Sequence, residues 1–500
     1  MKVARAVVAV CAATLAATSL AQGRAAKPAH DNFYWLGEFN KASTVMVVEQ
    51  GIVPPALGAK IAGGVARVIE DGEKPGAKRP GDYLQYEPLL IAYAGPDATR
   101  MHSGRSRQDI LATTRRVMLR ERAIELADAM NVARDKLVAL AGKHVDTIVP
   151  AYTNGVQAQP ITFGHYLLAF AAALDRHYDR LREAYARLNL SPMGSAALGT
   201  SSFPVNRPRL AELLGFDAVA ENSYDANQVA TIDVAGELAN DAALMALTLG
   251  ALVQDIHTQY HQVSPWLLIQ EGAFTHPSSI MPQKRNPTIL NSLRLQASTV
   301  LGEAQLFAIE SHNVTPGMPD YKREGSQRTL EDAAEMFRML SLLLDNLVVS
   351  KERALDEVNA EYSTTTELAD VLQREADVPF RVGHHFASEL VDFGRKNALR
   401  PAQIPYAEAQ RIYAEAGKKF GMENATLPLA EARFRSSLSP EGMVNASRGL
   451  GGPQPAEVKR MFQGETKRLA GDRVWAADRR ERLAQSQAKL DAAFRKLLQQ

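Results

Sequence analysis

Cysteine is almost missing: Cys11 is the only one in 500 residues. It lies in an apolar run near the start, so the rest of the chain has no disulfide, no thiol nucleophile and no cysteine metal site. Net charge is scarce too. Lys and Arg total 57 against 56 Asp and Glu, which leaves no global field to attract nucleic acid or an anionic membrane. After the first residues no stretch reaches the roughly 18 uninterrupted apolar residues of a bilayer span. Short Val/Ile runs alternating with helices are lacking, which argues against a parallel sheet. No glycine motif stands where a strand would hand over to a helix, so dinucleotide and phosphate loops are not expected. The partner to expect is a small molecule or another copy of the chain.

The first residues read as a secretory signal. Lys2 and Arg5 precede an apolar run from Ala6 to Ala17, and Ser19-Leu20-Ala21 offers small residues for cleavage. The expectation is an exported, periplasmic protein with a signal peptide at 1–22.

What the chain does have is helix. From Arg107 to Ala141 there is no Gly or Pro, and good helix formers dominate; one helix of roughly 50 Å fits. A second should run from near Pro160 to Leu190, with Leu167, Ala171, Leu174, Tyr178, Leu181, Tyr185 and Leu188 in a narrow apolar seam. A third, about 225–261, is apolar nearly all round between Ala242 and Val253, so it should be buried on every side, in a thick bundle or at a subunit interface. Further helices are expected from Pro287 to about 310 and from about 325 to 349. The reading is all-α: an N-terminal domain at 23–104, a central long-helix bundle at 105–360, a C-terminal helical domain at 361–465 and an amphipathic extension at 466–500 carrying Leu483, Leu490, Phe494 and Leu497.

Three polar loops stand at helix ends: HSGRSRQD at 102–109, AYTN and QAQP within 151–160, and THPSSIMPQKRNP at 275–287. They offer hydroxyls, amides, arginines and a lysine, a set suited to a substrate with carboxylates. Each piece also has a purely structural reading. Ser106 with Asp109 three residues on fits a helix capping box, and Asn286-Pro287 fits an N-cap followed by proline. Lys284 could be a surface lysine, and His102 an ordinary loop histidine. His257 and His261 are four apart but have no adjacent Glu, so a metal site is not expected. Spacing alone leaves the function open.

The stretch from Ser278 to Pro287, SSIMPQKRNP, resembles the signature of the fumarase/aspartase superfamily, and the argininosuccinate lyases within it most of all. HSGRSRQD and AYTN…QAQPITFGHYLLAF resemble two further conserved regions of that family. PMGSAALGTSSFP, NSYDANQ, TELADVLQREADVPFR and SRGLGGPQPAEV add echoes across about 45–465. The resemblance implies all-α homotetramers built on a bundle of long helices, with each active site shared between subunits. It implies reversible elimination from a succinyl group to give fumarate, with no cofactor and no metal. It makes Ser278 the base, Ser279 a neighbouring donor and Lys284 a catalytic cation. His102, Arg105, Ser106, Gln108, Thr153, Asn154, Gln159 and Asn286 would hold the dicarboxylate substrate.

The sequence also departs from the family pattern. Asn154 replaces a histidine that serves in protonating the leaving group, and an amide is no acid near neutral pH. Pro277 replaces a glycine before the serines, and Gln108 replaces an asparagine. Gly317, Lys322 and Ser326 stand where the arginine portion would be bound. The fumarate end is kept and the amine end rebuilt. Three readings follow: a carbon–nitrogen lyase for an amine other than arginine, argininosuccinate lyase proper, or an inactive carboxylate-binding protein on the same scaffold.

Overall fold

The computed structural model describes residues 30–318, 326–423 and 425–500; the expected signal peptide and Lys322 lie outside them. The chain opens with α1 (Asn32–Glu49), α2 (Pro55–Gly72) and α3 (Tyr83–Ala94). They enclose an apolar cluster around Phe33, Phe39, Ile61, Val65, Tyr86 and Leu90.

The bundle begins with α4 (Arg107–Lys143), close to the helix expected from 107. An antiparallel ribbon of β1 (Ile148–Thr153) and β2 (Val156–Thr162) follows. α5 (Phe163–Leu188) buries all seven seam residues expected of it. Short pieces then pass by: β3 (Leu190–Ser191), α6 (Arg207–Leu213) and β4 (Ala218–Val219). A π-helical turn at Asp225–Val229 leads into α7 (Ala230–Thr258).

Beyond β5 (Leu267–Ile269) lies a small hairpin of β6 (His276–Pro277) and β7 (Arg285–Asn286). α8 (Thr288–Ser311) and α9 (Ser326–Asp345) complete the bundle, and β8 (Leu347–Val349) pairs with β5. The main core lies among α4, α5, α7, α8 and α9. The fold is the all-α long-helix bundle that the sequence predicts, with ribbons only at its ends.

A separate cluster holds α10 (Lys351–Ala360), α11 (Thr365–Ala376), α12 (Phe380–Lys396), α13 (Tyr406–Lys418), α14 (Glu431–Ser437) and α15 (Pro440–Ala446), with Leu372, Phe386, Tyr413 and Phe434 at its centre. The chain ends in α16 (Pro455–Leu498), one unbroken helix. The division expected at 465/466 therefore falls inside a helix. Its C-terminal residues Leu490, Phe494 and Leu497 join the N-terminal apolar cluster, so the extension clamps the two ends of the chain together.

The expectation that α7 is buried on every side is not met within the chain. Leu238, Ala242, Met245, Leu249 and Leu252 face the core, but Leu244 and Leu247 are 42% and 55% exposed. Leu295 and Ile309 of α8 are exposed as well. The chain's own bundle is not thick enough to cover this face.

Candidate active site

Residues 102–109 form the approach to α4. Ser106 is the N-cap: its Oγ accepts the Gln108 N–H at 3.3 Å, while the Ser106 N–H donates to Asp109 Oδ1 at 2.9 Å, closing a capping box. The structural and substrate readings of Ser106 are compatible, since its hydroxyl stays half-exposed. Asp109 is fully buried and its Oδ2 accepts N–H groups of Gly194 at 2.9 Å and Ala196 at 3.1 Å. Burial pushes its carboxyl up to about 7, against the pull of these donors and of Arg105. Asn227 fixes the same loop from the other side, donating to the carbonyls of Ala196 and Ala197. Gly104, at φ +69°, has no room for a side chain: a Cβ there would lie 2.4 Å from Val205.

Arg105 and His102 are both engaged within their own chain. Arg105, expected to hold substrate, is buried: its NH1 donates to Ser43 Oγ at 2.9 Å and its Nε to His102 Nδ1 at 3.0 Å, while its NH2 has no hydrogen-bond partner. Its guanidinium lies 4.7 Å over the Tyr83 ring. It braces the loop from within. His102 stacks on Tyr83 with centroids 4.3 Å apart. Burial, with Arg105 beside it, drives its pKa down to about 3. The ring is neutral, with Nδ1 accepting and the proton on Nε2, so it can donate a hydrogen bond but cannot replace the missing acid at neutral pH.

The segment 151–159, expected as a loop, is a hairpin. Asn154 and Gly155 occupy its two-residue turn with φ of +53° and +78°. An Asn-Gly pair favours that turn because both central residues need positive φ, so the signal was present in the sequence. Thr153, Asn154 and Gln159 expose their side chains. Behind the turn, the Tyr152 hydroxyl donates to Glu357 and Gln157 Nε2 donates to the Glu357 carbonyl.

The loop at 275–287 is held by the β6–β7 stem, by Asn286 Nδ2 donating to the His276 carbonyl at 3.1 Å, and by Arg285 reaching Glu271 and the carbonyls of Pro282 and Lys284. Asn286 is not the N-cap that its position before Pro287 suggested. Pro287 itself occupies that place, with no side-chain cap, because Asn286 is drawn into the stem. At the turn, Ser278 Oγ accepts N–H groups from Met281 at 3.1 Å and Ile280 at 3.4 Å. Two amide dipoles converge on that oxygen, an arrangement that favours negative charge there. Ser279 and Lys284 are exposed beside it, and Lys284 has no ion pair among the described residues. Sequence reasoning could name Ser278 but not these donors, because backbone amides carry no residue signal.

The three regions do not meet within one chain. The hairpin adjoins the C-terminal end of α4, where the Gly164 N–H donates to the His144 carbonyl. The serine loop lies at the same end, since Gln270 bonds to Asn346, directly after α9, and Lys136 of α4 pairs with Asp345 of α9. Residues 102–109 sit at the other end of α4, roughly 55 Å away at 1.5 Å per residue over 37 residues. Among the described residues no group of three or more His, Cys, Asp or Glu could hold a metal ion.

The chain matches two family models, a lyase family over residues 91–302 and the C-terminal region of argininosuccinate lyase over 362–445. It is 32% identical over 434 residues to an argininosuccinate lyase of Methanothermobacter thermautotrophicus, covering 84% of this chain and 90% of that one. Identity to an argininosuccinate lyase of Methanoculleus marisnigri is 34%, over 82% and 80% of the two chains. Among solved structures, an EDDS lyase variant with bound fumarate superposes with a TM-score of 0.85 at 30% identity, over 94% and 92%. EDDS lyase in complex with formate gives 0.84 at 29%, with the same coverage.

Proposed function

Since the chain belongs to the argininosuccinate lyase family of the fumarase/aspartase superfamily, we propose that it is an exported enzyme that eliminates an amine other than arginine from an N-(1,2-dicarboxyethyl) substrate. Membership makes it a carbon–nitrogen lyase that releases fumarate; the amine, the residue roles and the compartment are what is proposed. The observation that carries the reading is the Ser278 oxygen held under two backbone N–H groups.

In the proposed reaction Ser278, having released its hydroxyl proton to solvent, removes as its alkoxide a proton from the carbon beside one carboxylate. The electron pair enters that carboxylate as a dianionic aci form, then returns to make the double bond as the carbon–nitrogen bond breaks. Lys284, Asn286 and Ser279 neutralise the developing charge; Ser106, Gln108, Thr153 and Gln159 orient the carboxylates. Neither Asn154 nor neutral His102 supplies a proton to the leaving nitrogen. An alkylammonium carries its own proton and leaves as a neutral amine whose conjugate acid has a pKa near that of lysine, roughly 10.4, against roughly 12.5–13.8 for an arginine side chain. The better leaving group needs no acid, which favours a simple amine over arginine. The likeness to structures of EDDS lyase, named for a different substrate from argininosuccinate, supports the same choice.

The test is fumarate release, followed by its ultraviolet absorbance, from argininosuccinate and a panel of N-(1,2-dicarboxyethyl) alkylamines. Turnover of a panel member, lost about 10²–10⁴-fold in Ser278→Ala, is expected; turnover of argininosuccinate alone overturns the choice of amine. Export rests on Lys2, Arg5 and the apolar run after them. Fractionation of cells making the full chain should find a shortened protein outside the cytoplasm, and a full-length cytoplasmic product overturns that part.

A further inference from the structure

A second pocket lies at the hairpin end of the bundle, under β1 and apart from Ser278. It encloses about 150 Å³ between Tyr152 of β1, Tyr166 of α5, Asp255 and Gln259 at the end of α7, and Trp266 before β5. No lysine, arginine or histidine lines it. The Tyr166 hydroxyl donates to Asp255 Oδ2 at 2.6 Å, and the Tyr152 hydroxyl donates to Glu357 behind the wall. Among the described residues neither carboxylate has an ion-pair partner. One buried polar atom of the lining is also left unsatisfied: Gln259 Oε1, on a side chain only 5% exposed, has no hydrogen-bond partner.

Beside the three aromatic rings, the Asp255 carboxylate and the buried Gln259 carbonyl are acceptors with no cation among the lining residues. An ammonium group suits both, its charge the carboxylate and its N–H the carbonyl. Aromatic faces attract cations, and organic ammonium groups in particular lose little hydration on entering such a cage. The free carbonyl of Gln259 and the Asp255 carboxylate supply acceptors for any ammonium hydrogens. At roughly 30 Å³ per water the space equals about five waters, enough for a head group such as a methylated ammonium and too small for a whole amino acid. We propose that this pocket is a binding site for a small organic ammonium group, distinct from the residues assigned to the fumarate end. Tyr152 directly precedes Thr153 and Asn154, so a cation seated here would also stiffen the hairpin that carries them. The proposal is independent of which amine the elimination releases.

The experiment is calorimetric titration of the full mature protein with methylammonium chloride, with sodium chloride at equal ionic strength as reference. Saturable binding at one site per chain is expected, weakened at least tenfold in Asp255→Asn and in Trp266→Leu, with the quenching of tryptophan fluorescence on binding lost in the latter. Gln259→Glu adds a negative charge to the wall and should tighten binding several-fold, which keeps the test decisive if either other variant fails to fold. Absence of saturation, equal potency of sodium, or affinity unchanged in Asp255→Asn or in Gln259→Glu overturns the proposal.

Discussion

Asp109 does two jobs with one carboxylate. Oδ1 caps α4 through the Ser106 N–H, and Oδ2 holds the Gly194 and Ala196 amides of a loop 85 residues further on. Asparagine has the same shape but only one acceptor, so its NH₂ must face at least one of these buried N–H donors. Each donor left unsatisfied costs about 1–3 kcal/mol. Asp109→Asn should therefore lower stability by about that amount in denaturant unfolding; an unchanged midpoint contradicts the anchoring role. The capping box was legible in the sequence as Ser106 with Asp109 three residues on. The second role was not, because Gly194 and Ala196 contribute only backbone N–H groups, and nothing local ties them to residue 109. Arg105 was legible as part of a familiar motif, but its contacts with Ser43 and Tyr83 were not, because they join residues far apart in the chain.

At the scale of elements, the docking of α16 rests on a buried charge cluster. Arg134 of α4, almost wholly buried, donates to Asp472 of α16 at 2.7 Å and pairs with Asp175 of α5. Glu465 of α16 adds a third carboxylate, with Arg468 bridging it to Asp175 at 3.3 Å on each side and Arg182 reaching Asp472 at the rim. Burial and the neighbouring Asp175 push Glu465 up to about 8 from an ordinary 4.5. Between those values the folded chain holds a proton that the unfolded chain has released, so stability falls as pH rises from about 4.5 to about 8. Glu465→Gln should flatten that slope and raise the unfolding temperature at pH 8 relative to the parent protein, a comparison of melting curves across the range. A parallel slope in the variant assigns the effect to other groups. The sequence showed the helix and its apolar residues, since a 3.6-residue period survives in composition. It did not show that 455–498 is one helix or that Arg134 is its anchor, because an ion pair between residues 338 positions apart has no local pattern.

At the scale of the molecule, the length of α4 governs how the site can be made. Residues 102–109 and the Ser278 loop lie at opposite ends of a helix of 37 residues, and no bending of loops closes roughly 55 Å. The proposed site draws on both ends, and so calls for a neighbouring copy to present its 102–109 end beside the serine loop. The exposed apolar residues Leu244, Leu247, Leu295 and Ile309 give the bundle a face on which such a copy can pack. This arrangement has a consequence that a single-chain site does not share. A Gln108→Ala protein and a Ser278→Ala protein, each inactive alone, should regain fumarate release when mixed after reversible dissociation, because some sites then draw an intact Gln108 from one copy and an intact Ser278 from another. With random exchange in a symmetric oligomer about a quarter of the sites are whole, so activity should return to about that fraction of the parent value. Mixing without dissociation should give nothing. If dissociated and reassembled mixtures also stay inactive while each variant is folded and oligomeric, both residues serve a site within one chain, and the separation of the two ends would have to be bridged by a different arrangement of the bundle.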